Sequence, residues 1–141
     1  MSEPPFRLSV GLGVTLDEGH VRDLRAALAE SGNDSLLVER HTRRGVSWRI
    51  DLGEAQRPDE LFRRLAVLGE GVARVIAGIV RAQTGGAPAG PYEAWVVLSL
   101  CQKIDEPDDP RQSGISIDED VVAWAALAGA AIDIDQYVYV D

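Results

Sequence analysis

Cysteine occurs once in the 141 residues, at Cys101, and the two histidines, His20 and His41, stand far apart. These scarcities exclude a disulfide-stapled secreted scaffold and any Cys/His zinc module. Neither histidine has a serine or cysteine partner at a recognisable spacing, so no nucleophilic triad is indicated. Lysine also occurs once, at Lys103, and follows no glycine run of Walker type, while Gly11-Leu12-Gly13 and Gly69-Glu70-Gly71 lack the third glycine of a dinucleotide loop. No run approaches eighteen uncharged apolar residues, and the opening Met1-Ser2-Glu3-Pro4-Pro5 has no basic or apolar leader segment. The expectation is a cytoplasmic protein that makes no membrane contact and needs no cofactor. What is present, 45% hydrophobic and 26% charged residues, is the composition of a folded domain. A single domain over residues 1–141 is expected, since a chain of this length buries roughly two-thirds of its unfolded surface unaided.

Positive charge is scarce in one place. Residues 1–101 hold 13 acidic and 12 basic side chains, a net −1, whereas residues 102–141 hold 10 and 2, a net −8. A lobe of that sign repels phosphate backbones and attracts basic partners, and with a pI near 4.6 it argues against nucleic acid as the ligand.

Two periodicities organise the chain. Phe6, Leu8, Val10, Leu12, Val14 and Leu16 fall on alternate positions, the period of a half-buried strand. Asp17 and Glu18 then suit a helix N-terminus, and Val21, Leu24 and Leu28 carry a helix over 18–31. Leu36 to Val38 and Val46 to Leu52 read as a hairpin around a polar turn at 40–45. Pro58 opens a long amphipathic helix with one stripe from Leu61 to Ile79, in which Gly69 and Gly71 predict a kink near residue 70. The breakers of 84–91 form a loop, Tyr92 to Cys101 a buried strand, and Ile104 to Gly114 a solvated acidic loop. Ser116-Ile117-Asp118-Glu119 has the form of a capping box, followed by an Ala-rich helix that Gly129 closes, and Ala131 to Val140 alternates again as a last strand. The order β-α-β-β-α-β-α-β predicts an α+β fold. Its first six elements have the ferredoxin-like order, with an appended α-β unit and an antiparallel-rich sheet that carries its helices on one face.

Several residues also resemble the domain of unknown function 4279 family of small bacterial proteins. They are the strand that leads into Leu16-Asp17, the Gly45-x-x-Trp48 hairpin, and the run Leu127-Ala128-Gly129-Ala130 into Ile132-Asp133-Ile134-Asp135-Gln136-Tyr137. The family's stretch after the first helix is replaced here by Glu30-Ser31-Gly32-Asn33-Asp34-Ser35. The resemblance implies an α+β fold and carries over no catalytic residue. Some similar small domains sit beside toxin genes as immunity proteins, so the resemblance also raises that role.

Strand parity gathers one composite surface. The sheet face opposite the helices would display Arg7, Ser9, Arg49, Glu93, Trp95, Asp133, Asp135, Tyr137 and Tyr139, a polar surface interleaved with the Trp, Tyr and Arg side chains that anchor protein interfaces. Against this, Trp95 suits a core equally well. Asp133 and Asp135 would lie about 7 Å apart on one side of their strand, close enough to hold a divalent cation or to pair with Arg7 or Arg49. Arg40-His41-Thr42-Arg43-Arg44 gathers guanidinium groups at the hairpin, where a solvated turn is the simpler account. The function read from these features is a non-enzymatic module that binds a basic protein partner, an immunity protein or inhibitor being one instance. Its protein-binding residues are Arg49, Trp95, Asp133, Asp135, Tyr137 and Tyr139. The alternatives are a homodimer built on the same face and a metal-dependent enzyme that uses the paired aspartates.

Overall fold

The alternating residues at the start of the chain form β1 (Phe6–Leu12), whose Phe6, Leu8, Val10 and Leu12 are buried while the residues between them are half-exposed. The computed structural model describes residues 3–43, 45–90, 93–109 and 114–138. β1 is shorter than the alternation predicts. The Gly13 amide turns to the Trp95 carbonyl at 2.6 Å, and a Cβ on Gly13 would stand 3.2 Å from the Ala94 and Trp95 carbonyl oxygens. The strand therefore ends at that close approach, although Val14 and Leu16 stay buried beyond it.

α1 (Glu18–Ala29) begins where Asp17 caps it, accepting a hydrogen bond from the His20 amide at 2.8 Å. A one-turn 3-10 helix at Asp34–Leu36 leads into β2 (Leu37–Thr42), which pairs with β3 (Gly45–Ala55). The two strands run further toward each other than expected, so residues predicted as turn lie in the ladder. β3 carries a bulge opposite Leu8 and Ser9 of β1. Gly53 sits there at φ 86°, and Arg64 donates to the Leu52 carbonyl at 2.9 Å, satisfying an acceptor that the ladder leaves out.

α2 (Pro58–Thr84) buries Leu61, Phe62, Leu65, Leu68, Val72, Ala73, Ile76 and Ile79 along one stripe. The kink predicted near residue 70 falls at Gly69, whose φ of 78° and ψ of 173° are not helical. β4 (Val96–Ile104) is displaced toward the C-terminus of the predicted strand because its pairing begins at Leu12 of β1 with Val96 and runs on past Phe6 and Gln102 to Val138 of β5 with Ile104. Ile104, read from the sequence as the start of a solvated loop, is thus the buried last residue of β4.

α3 (Glu119–Ala128) is capped by Asp118, whose carboxylate accepts from the Val121 amide at 3.0 Å; Ser116 is not the cap. Asp118 lies immediately before the helix, so its carboxylate reaches the free amides of the first turn. α3 ends in a left-handed Gly129, and β5 (Ala131–Val138) follows. Tyr139 and Val140, predicted to extend it, lie outside the described residues.

The result is an α+β fold with a five-stranded mixed sheet in the order β2-β3-β1-β4-β5. The β2–β3, β3–β1 and β1–β4 pairings are antiparallel, and β5 runs parallel to β4 because α3 carries the chain back between them. α2 lies against β3 and β1, while α1 and α3 both lie against α2. The Trp124 indole donates to the Gly69 carbonyl at 3.0 Å, so the break in α2 and the position of α3 are tied together. No helix among the described residues is long and apolar enough to cross a membrane.

Candidate functional site

The registers place side chains in rows across the sheet face that the helices do not cover. One row runs Glu54, Arg7, Cys101, Asp135, and the next runs Asp51, Ser9, Ser99, Asp133. Tyr137 continues the same side of β5, opposite Lys103. Of the six residues predicted from sequence, Asp133, Asp135 and Tyr137 are therefore brought together.

Arg49 and Trp95 are not with them. Arg49 sits on β3, three strand spacings or about 14 Å from β5. It lies 3.8 Å from Asp51, and its buried Nε has no hydrogen-bond partner among the described residues. Trp95 precedes β4, packs against the hydrophobic core, and donates its indole N–H to the Ala87 carbonyl at 3.1 Å, so it braces the segment after α2. Tyr139 lies outside the described residues.

Two cations of this face, Arg7 and Arg49, are held in its β1–β3 half, and Lys103 of β4 contacts Glu3 at 3.5 Å. Arg7 contacts Asp51 at 2.7 Å and Glu54 at 3.3 Å, and Asp51 also accepts the Gly53 amide at 2.9 Å. The pairing of Asp133 or Asp135 with Arg7 or Arg49 that the sequence allowed is thus replaced by pairs to Asp51 and Glu54. Among the described residues Asp133 and Asp135 have no ion pair and no hydrogen bond to their carboxylates, and no three His, Cys, Asp or Glu side chains are grouped to hold a metal ion.

Cys101 reports the resulting field. Burial, then Asp135 and Asp133, push its thiol above the ordinary value, against a smaller opposing pull from Arg7. A thiol held protonated in this way is a poor nucleophile near neutral pH.

One feature was hidden from sequence reasoning. Ile132, Ile134 and Val138 point to the helix side of β5, as their parity predicts, yet they are 37%, 40% and 52% exposed. α3 packs chiefly on α2, and that part of each side chain stays open. Between β5 and the core, Gln136 donates to Gln102, which is 1% exposed, at 2.9 Å. A cleft of about 360 Å³ lies elsewhere, between α2 and α3, with Phe62, Leu65, Gly69 and Trp124 among its walls. A smaller groove of about 240 Å³ opens beside Pro5, Arg7, Glu54, Cys101, Lys103 and Tyr137. No family model, curated protein or solved structure matches this chain.

Proposed function

We propose that the protein is a non-enzymatic binding module whose acidic C-terminal lobe engages a basic protein, as an immunity protein or inhibitor does. The observation that carries this reading is the pair Asp133 and Asp135: neighbours on an exposed strand, within a stretch of net charge −8, and without a counter-ion among the described residues. An arginine-bearing partner would supply the missing charge, and such pairs give association its rate and its specificity. Membership in the domain of unknown function 4279 family belongs to the same reading. So does a ferredoxin-like order for the first six elements, which the antiparallel neighbours β4, β1, β3 and β2 support.

Binding of a fluorescent octa-arginine peptide tests the electrostatic part. Affinity should fall steeply between 50 and 500 mM salt, and the double variant Asp133→Asn/Asp135→Asn should bind more weakly with a flatter salt dependence. Equal binding by the variant and the parent would remove the aspartates from the interface. A second reading, a homodimer, draws on the exposed Ile132, Ile134 and Val138, and sedimentation at micromolar concentration separates it from the first.

A further inference from the structure

The two edges of the sheet are built differently. β2 ends its exposed edge in Glu39, Arg40, His41 and Thr42, the charged and polar side chains that discourage another strand from pairing. β5 contains no lysine, no proline and no bulge, and its register with β4 is unbroken from Ala131 to Val138. Alternate residues of an edge strand turn their N–H and C=O groups outward, so among the described residues β5 offers a row of donors and acceptors that no strand takes up. The side chains flanking that row are sorted by face, with Ile132, Ile134 and Val138 on the helix side and Asp133 and Asp135 on the other.

We propose that β5 accepts an extended segment of the basic partner as a sixth strand, and that this segment alternates branched apolar residues with Arg or Lys. The proposal rests on the basic-partner reading above and specifies how that partner is held. An added strand lays its own alternate side chains beside those of β5: the apolar set covers Ile132 and Ile134, which α3 leaves open, and the cationic set meets Asp133 and Asp135. The backbone supplies attraction at every outward group, and the two faces select the sequence. A second copy of this chain is a poorer occupant. An antiparallel self-pairing centred on Ile134 sets Asp133 against Asp135 twice, one centred on Asp135 sets that carboxylate on its twin, and either register brings together two stretches of charge −8.

The experiment measures fluorescence anisotropy of the whole protein with four capped peptides at 50 mM salt: (Val-Arg)4, the same peptide N-methylated at every residue, (Val-Glu)4, and octa-arginine. The first should bind saturably, and the N-methylated and glutamate versions at least tenfold more weakly. Asp133→Asn/Asp135→Asn should lose tenfold or more toward (Val-Arg)4, with circular dichroism confirming that the variant is folded. If the N-methylated peptide binds as well as its parent, strand addition is wrong while the basic-partner reading stands. If neither (Val-Arg)4 nor octa-arginine binds, both fall. A dimer of the protein alone that Ile134→Lys abolishes would assign the edge to a second copy and overturn the proposal.

Discussion

Replacing Gly69 with alanine should destabilise the protein, although the usual rule for a glycine inside a helix predicts the reverse. In a regular helix interior, Gly to Ala gains roughly 1 kcal/mol. Gly69 is not in one: its φ of 78° and ψ of 173° lie in a region that other residues enter at a cost of about 1 to 3 kcal/mol. Nothing stands within 4 Å of a Cβ built there, so the whole penalty is backbone strain and no steric clash confuses the result. Gly71 and Gly78 provide internal controls. Both are helical and exposed with the same open space, so alanine at either should stabilise by about 0.5 to 1 kcal/mol. Urea melts of the three variants should therefore place Gly69→Ala below the parent and the other two above it. With a slope of about 1 to 3 kcal/mol per molar urea, the two groups should be separated by on the order of 1 M in midpoint. Trp124→Phe should also destabilise, because it leaves the Gly69 carbonyl without the indole N–H. A Gly69→Ala midpoint that rises with the controls would refute the reasoning and mean that α2 can run straight at no cost.

The capping assignment is tested by a pair of variants. Asp118→Ala should cost about 1 kcal/mol through the lost bond to the Val121 amide, and Ser116→Ala should cost close to nothing; the opposite ranking in the same melts would restore the serine as cap. Cys101 should react slowly with iodoacetamide at pH 8, and Asp133→Asn/Asp135→Asn should speed that reaction by removing the charges that hold the thiol protonated. Because folding raises this thiol's pKa, the stability it contributes is complete below the unfolded value of about 8.5 and is lost as pH rises through the folded value. Urea melts of the parent against Cys101→Ser between pH 7 and 10 should show that decline, and parallel curves would deny it.

Much of this architecture was legible in side-chain order. Alternation located β1 and β5 and sorted the β5 residues correctly between two faces, and a pair of glycines marked the break in α2. Other limits depended on partners distant in sequence. The ends of β4 are set by pairing with β1 at Val96 and with β5 at Ile104, which no local pattern of Tyr92 to Ile104 reveals. Ser-x-x-Glu is a genuine capping pattern, but Asp118 lies directly before the helix and takes the amide. Alternation also says only that a strand has two sides, not that anything covers them. Whether Ile132 and Ile134 are buried depends on where α3 comes to rest, and its bond from Trp124 to Gly69 draws it over α2. Arg49 and Trp95 were grouped with the aspartates by composition and parity, and strand order separates them: Arg49 lies on β3 and Trp95 just before β4, bonded to the Ala87 carbonyl.

The exposure of β5 also sets the order in which the molecule comes apart. None of its side chains is buried, Ile132 and Ile134 are only partly covered, and one glutamine pair reaches inward, so its ladder to β4 carries much of what holds it. It should detach while the four-stranded remainder stays intact, and its amides should then be among the least protected of the sheet in native-state hydrogen exchange. The surface offered to a visitor is thus also a thinly packed margin of the sheet, and a bound strand would fasten it, giving the complex greater resistance to proteolysis than the free protein.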